Sequence, residues 1–220
     1  MACSKPRLVL LGKQGAGKGT QSTRLAEHFD VIHVSTGDMF RTQAAQGAAF
    51  GLEAKRYMDA GDLVPDEIVV GVIEECVVPG GPLAGGFVLD GFPRTLYQAR
   101  ELDRVIAGCP LDLAIDLDVP REIVIDRIAG RRVCERCQRV YHVKMPPGRP
   151  WVCDACGGDV RQRDDDTEEA IERRLELYDR ETVPIVDYYR ALGLLATVDG
   201  VGEGEEVFER LVKVCLEQLP

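Results

Sequence analysis

Short apolar runs alternate along this chain with stretches whose apolar residues recur at helical spacing. Arg7–Leu11, Val31–Val34, Phe87–Asp90, Leu113–Asp118 and Leu194–Val198 read as five short buried strands. Helical periodicity follows Gly12–Thr20 as far as about His28. It returns at Asp38–Gln46, Leu52–Ala60 and Asp66–Val77, with Gly47, Gly51 and Gly61 as breaks. Further helices are expected at Thr95–Ile106, Arg121–Ala129 and Glu205–Leu219, and a long one from about Thr167 in which Pro184 predicts a kink or break. Strands alternating with helices predict an α/β fold, a parallel five-stranded sheet covered on both faces. Val133–Val160 interrupts the alternation. It is rich in Cys, Gly, Pro and Arg, has too few apolar residues for a core, and therefore needs a staple.

Composition narrows the class. At 220 residues, 45% hydrophobic and 29% charged, the chain can bury a core, which excludes a disordered or fibrous protein. No apolar run approaches the roughly 20 residues that span a bilayer. The start, Met1 to Leu11, resembles neither a signal peptide nor an anchor, so a cytosolic protein with no membrane partner is expected. A net charge of −10, one Trp and 6% aromatics argue against a nucleic-acid partner. The charge is uneven, however. Arg131 to Arg163 carries eight Lys or Arg against three Asp or Glu, a local +5 that leaves −15 elsewhere. A basic island in an acidic protein calls for an anionic ligand of modest size.

Gly12-Lys13-Gln14-Gly15-Ala16-Gly17-Lys18 lies between a strand and a helix, the context of a phosphate-binding P-loop. Its glycines let backbone N–H groups curl round a phosphate, the helix points its positive end there, and Lys18 adds a mobile cation. The hydroxyl that usually follows the lysine arrives one place late, at Thr20 after Gly19. Thr20 is therefore assigned to a phosphate, and the metal is left largely to water. Phe87-Val88-Leu89-Asp90 ends a strand on a carboxylate placed, as in P-loop proteins, to hold magnesium directly or through water. Gly91-Phe92-Pro93-Arg94 then sets an arginine on a stiff turn, ready for a bidentate grip on phosphate. Cys134-x2-Cys137 and Cys153-x2-Cys156, with 15 residues between the pairs, fit a closed, structural four-cysteine zinc site, with two disulfides as the alternative. His142 and Tyr141, between the pairs, are expected to pack within the segment. Cys3, Cys76, Cys109 and Cys215 show no spacing pattern and read as buried small hydrophobes.

The run Lys18-Gly19-Thr20, Ser35-Thr36-Gly37-Asp38-Met39-Phe40-Arg41, Asp62–Glu67 and Asp90–Arg94 with Thr95 resembles adenylate kinase, and the similarity extends over essentially the whole chain. The Arg131–Arg163 insertion looks like the long, zinc-bearing lid of some bacterial members. The resemblance implies a core P-loop domain at 1–34, 66–130 and 164–220, an AMP-binding insertion at 35–65 and a zinc-binding lid at 131–163. It implies reversible transfer of the terminal phosphoryl group of ATP to AMP, giving two ADP, with Mg2+ on the ATP, Zn2+ in the lid, and a monomer.

Residue by residue, the resemblance assigns Gly15, Ala16, Gly17, Lys18, Gly19 and Thr20 to ATP, with Arg127, Arg131 and Gly202. It assigns Thr36, Arg41, Leu63, Val64, Gly91, Arg94 and Gln98 to AMP, Gln98 reading the adenine edge. Arg163 and Arg174 match arginines that clamp the transferring phosphate and AMP; with Lys18, Arg94 and Arg131 they form the catalytic set. Asp90 is the magnesium residue, acting through water. Lys13 and Gln14 depart from the family loop, where a small residue or Pro and then Pro are usual, which costs stiffness and adds charge. A kinase for another nucleoside monophosphate, and a zinc-ribbon nucleic-acid binder with a nucleotide switch, are the competing readings.

Overall fold

The computed structural model describes residues 5–77, 81, 83 and 85–219. Cys3 lies outside the described residues. Five strands make one parallel sheet: β1 (Arg7–Leu11), β2 (Ile32–Ser35), β3 (Phe87–Asp90), β4 (Leu113–Asp118) and β8 (Leu195–Asp199), in the order β2-β3-β1-β4-β8. The helices around it are α1 (Lys18–Phe29), α2 (Thr36–Ala45), α3 (Ala49–Asp59), α4 (Asp66–Val77), α5 (Leu96–Val105), α6 (Arg121–Ala129), α7 (Glu168–Leu177), α8 (Val183–Ala191) and α9 (Gly204–Gln218). Among the described residues, no helix is long and apolar enough to cross a membrane.

The continuous apolar strands follow from burial on both faces. Leu8 and Leu10 point with Val88, Leu113 and Ile115 into one core, and Val9 and Leu11 point with Phe87, Leu89 and Ala114 into the other. Alternation along a strand sends neighbours to opposite faces, so every position must be apolar. The strand order also locates a crevice. From β1 the chain runs through α1 past β3 to the edge strand β2, and from β3 it runs through α5 to β4 on the far side of β1. Connections leaving adjacent strands in opposite directions open a cleft at their carboxyl ends. The register brings Leu10, Asp90 and Ser35 level there, with Asp116 beside Leu11.

Two features differ from the pattern read in the sequence. The helix expected from Thr167 is broken before Pro184, as anticipated, but by a π-helical turn at Tyr178–Thr182 rather than a simple kink. A proline ring clashes with the carbonyl four residues back and removes one helical donor, and a wider turn accommodates both. The Cys-rich segment, for which no strands were expected, forms a small antiparallel sheet of β5 (Arg131–Cys134), β6 (Val140–His142) and β7 (Val160–Arg161), ordered β6-β5-β7. Its buried centre is little more than Cys134, Cys153 and Val160. The scattered cysteines also divide. Cys215 is buried and free and Cys76 half-buried and free, but Cys109 is disulfide-bonded and half-buried, so it is not the buried free thiol expected.

The loop after β1 depends on glycine for steric reasons. Gly12 has φ +136°, and a Cβ there would stand 2.7 Å from the Leu117 carbonyl oxygen of β4. Gly12→Ala should therefore cost about 1–3 kcal/mol. Thermal unfolding should show a loss of roughly 2–4 °C per kcal/mol. An unchanged melting temperature would show that the loop can move away from β4 at no cost.

Candidate active site and lid metal centre

Gly12, Gly15 and Gly17 all have positive φ and lead the backbone into α1, whose first residue is Lys18. The Lys18 ammonium donates to the carbonyls of Gly12 (2.7 Å) and Lys13 (2.9 Å), so it stands in the mouth of the loop. Burial pulls its pKa down to about 8; Asp90 and Asp116 act against that, and Arg94 and Arg131 add to it. Asp90 closes β3 next to the same helix start: a Cβ on Gly19 would lie 3.4 Å from its carboxylate. Arg127, on α6, donates to Ala16 O of the loop (3.1 Å) and to Gly200 O (3.2 Å), tying the loop to the segment after β8 that contains Gly202. Thr20 lies exposed on the first turn of α1.

Lys13 bonds to Val119 O (3.2 Å), pairs with Asp118 (3.4 Å) and sits over the Tyr178 ring, 5.7 Å from its centre. The Tyr178 hydroxyl donates to Asp116 (3.3 Å), and Asp116, short of solvent, is pushed above the usual carboxylate range. The unusual lysine of the loop is thus latched to the end of β4.

The arginines converge on the same cleft. Arg94 bends back to donate from Nε to Gly91 O (2.8 Å); burial first, then the neighbouring Arg174, lowers its pKa to about 10. Arg163 is lowered to about 10 by burial, with Arg41 and Arg131 next in effect. Acidic partners that the sequence reading did not single out hold this cluster together. Asp166, fully buried, takes a two-pronged bond from Arg131, with Nε at 2.8 Å. Asp165 accepts from Arg174 at 2.5 Å and lies 3.8 Å from Arg41, and Asp38 accepts from Arg41 at 2.5 Å with Arg163 at 3.6 Å. The adjacent acids at the end of the basic island were the signal available for the first two. Even so, Arg41 Nε and Arg163 Nε are buried without an acceptor among the described residues.

Beside this cluster a pocket is lined by Thr36, Leu63, Val64, Gly91, Arg94 and Gln98, all assigned in advance to one ligand, together with apolar Phe40, Met58 and Val69. Ser35 caps α2 through the Asp38 N–H, which places Thr36 at the pocket, where its hydroxyl donates to Gly91 O (3.0 Å). Thr95 caps α5 and places the buried Gln98 opposite.

A family model described as adenylate kinase matches residues 10–194. An adenylate kinase of Carboxydothermus hydrogenoformans is 49% identical over 205 residues, covering 92% of this chain and 95% of its own length. One from Methanothrix thermoacetophila is 46% identical, covering 94% and 97%, and one from Streptomyces griseus 47%, covering 94% and 96%. The chain belongs to the adenylate kinase family. Membership makes it a nucleoside monophosphate kinase, an ATP:AMP phosphotransferase on a P-loop sheet.

The chain also gathers Cys134, Cys137, Cys153 and Cys156, whose sulfurs all lie within 4.8 Å of one another. The pairs Cys134–Cys156 and Cys137–Cys153 are 3.5 Å apart. A disulfide needs about 2 Å, and all four thiols are free, so the disulfide alternative is excluded. The separations approach the edge of a tetrahedron with metal–sulfur bonds of about 2.3 Å. Tyr141 reinforces the cluster: its hydroxyl contacts Cys153 Sγ (3.4 Å) and accepts from Asp154 N (2.8 Å). His142 is not among the ligands. Its Nδ1 accepts from Lys144 N (3.2 Å) while its other nitrogen faces Asp126 O (3.3 Å).

Two measurements test this electrostatic account. Lys18 is charged below about pH 8 and neutral above it, so kcat/KM for ATP should fall as pH rises through about 8. A profile that stays flat beyond that pH contradicts the buried ammonium. Asp166→Ala leaves the guanidinium of Arg131 without its partner in a nearly closed site and should cost about 3 kcal/mol in denaturant unfolding. An unchanged midpoint would show that Arg131 simply turns to solvent.

Proposed function

We propose that the P-loop side of the cleft takes Mg-ATP, that the pocket takes AMP, and that the arginines between them carry the phosphoryl group from one to the other, giving two ADP. The observation that supports this most is the pair of buried guanidinium nitrogens, Arg41 Nε and Arg163 Nε, left without acceptors in a cleft that Asp38, Asp165 and Asp166 neutralise only in part. Such donors suit an anion with several oxygens.

In this reading the backbone of Gly15, Ala16, Gly17, Lys18, Gly19 and Thr20 cradles the ATP phosphates, with Arg127, Arg131 and Gly202 on the nucleotide's other end. Thr36, Leu63, Val64, Gly91 and Gln98 surround the AMP base, and Arg41, Arg94, Arg163 and Arg174 face its phosphate. An AMP phosphate oxygen attacks the terminal phosphorus of ATP, the new P–O bond forms as the bond to the bridging oxygen breaks, and ADP leaves. The attacking oxygen is already anionic, so no general base is needed. Lys18, Arg94, Arg131, Arg163 and Arg174 meet the charge on the moving group, which is most of what this chemistry asks of a protein. Asp90 fits magnesium held largely by phosphate and water, because it offers one carboxylate beside the loop; bound there, the ion would neutralise charge on the ATP phosphates.

Zinc is proposed for the four thiols, closed to substrate because all four corners are sulfur. The divisions 1–34, 66–130 and 164–220 as core, 35–65 as AMP insertion and 131–163 as lid are part of the proposal. So are a monomer, with ATP, AMP and ADP as its partners, and a cytosolic location. Six free thiols among the described cysteines support that location and the disulfide at Cys109 runs against it.

Thr36→Ala should raise KM for AMP, by an amount on the order of 1–3 kcal/mol, while KM for ATP moves much less. Equal loss for both nucleotides in initial-rate measurements would put Thr36 in the wrong site. Elemental analysis should find about one zinc per chain. Cys153→Ser should lower thermal stability and disorder the lid yet keep measurable transfer in the cold. Metal-depleted enzyme that stays folded, lid included, but loses all transfer would make the metal catalytic instead.

A further inference from the structure

Gln98 is 1% exposed, yet its side-chain amide is engaged on both sides. The Arg94 backbone N–H donates to its Oε1 at 2.7 Å, and its Nε2 donates to Asp66 Oδ1 at 2.7 Å. Asp66 opens α4, far away in the chain, and its other oxygen accepts from the Thr95 hydroxyl at 3.0 Å. That hydroxyl in turn accepts from Gln98 N, so the carboxylate, the cap and the amide form one closed set of bonds.

Chemistry allows only one orientation of this amide. A backbone N–H can only donate, so the atom facing Arg94 must be oxygen. A carboxylate can only accept, so the atom facing Asp66 must be the NH2 group. Turning the amide over would set donor against donor at Arg94 and oxygen against oxygen at Asp66. One Oε1 lone pair and one Nε2 hydrogen remain for a ligand in the pocket that Gln98 lines. A base carrying an amino group next to a bare ring nitrogen matches this acceptor and donor. A base carrying a carbonyl next to a ring N–H needs the reverse.

We propose that Asp66 is a specificity-determining positioning residue, which locks the Gln98 amide so that the acceptor pocket takes a 6-aminopurine nucleotide and refuses a 6-oxopurine one. The inference rests on Gln98 facing the base of the acceptor nucleotide, as proposed above. Asp66 itself touches no substrate; it acts through Gln98.

The test compares AMP with inosine monophosphate, which differs from it only at the 6 position and the adjoining ring nitrogen, as acceptors with Mg-ATP. It reads the ratio of their kcat/KM values in the intact enzyme and in the Asp66→Asn, Asp66→Ala and Gln98→Ala variants. Asp66→Ala removes the acceptor that holds the NH2 group and leaves only the Arg94 N–H to orient the amide, so it should shrink the AMP preference at least tenfold. Asn at position 66 can still accept from Nε2 through its carbonyl oxygen, so Asp66→Asn should keep most of the preference. A variant that merely lowers the amount of folded enzyme scales both rates together and leaves the ratio unchanged. A ratio within twofold of the parent in Asp66→Ala, while Gln98→Ala collapses it, overturns the lock and leaves Gln98 as the reader. A ratio unchanged in Gln98→Ala overturns the placement of Gln98 against the base, and the lock with it.

Discussion

Cations crowded together in one buried cleft repel one another, and the rest of this molecule is arranged around that constraint. Lys18, Arg94 and Arg163 all have lowered pKa values, with burial as the first cause and neighbouring cations among the others. Left alone, such a group would push apart the segments that carry it. Asp38, Asp165 and Asp166 prevent this: Asp38 pairs with Arg41 on its own helix and approaches Arg163 (3.6 Å), Asp165 pairs with Arg174 and approaches Arg41 (3.8 Å), and Asp166 pairs with Arg131. The pairing is incomplete, because a fully neutralised cleft would hold no phosphate. Truncating one partner of a buried pair is far more costly than the pair is worth, so these carboxylates are as much a part of the site as the arginines.

The sheet supplies the second half of the arrangement. Parallel strands ending level bring the P-loop, Asp90, Ser35 and Asp116 to one edge. Asp116 and Tyr178 stand behind Lys18 and Lys13, and Tyr178 begins the π-helical turn that precedes Pro184. The proline that interrupts the helix therefore fixes where a ring meets the loop. The latch of Lys13 on Asp118 and Val119 gives the loop a tether to β4 in place of the stiffness a proline would bring.

Much of this was legible in the sequence, for a physical reason. Burial on both faces leaves runs such as Phe87–Leu89 wholly apolar, and phosphate chemistry confines the loop to a few residue types, so both stand out locally. The family assignment read from Ser35–Arg41 and Asp90–Arg94 agrees with the matching relatives. What escaped was nonlocal. The lid strands are only two to four residues long and are aligned by the cysteine cluster, which no periodicity announces. Asp165 and Asp166 look like ordinary surface acids until the fold buries them against Arg174 and Arg131. Asp66 looks like a helix-start acid until Gln98 and Thr95 arrive from α5 and its cap. Cys109 looked like a free thiol and is disulfide-bonded.

The central claim is that the cleft delivers a phosphoryl group to AMP and not to water, since a closed cationic site both stabilises the moving group and excludes the competing nucleophile. Phosphorus NMR of the purified enzyme with ATP, AMP and magnesium follows every product at once. The account predicts two ADP for each AMP consumed, with no inorganic phosphate, approaching the same equilibrium from ADP alone. Inorganic phosphate accumulating while AMP stays constant would contradict it.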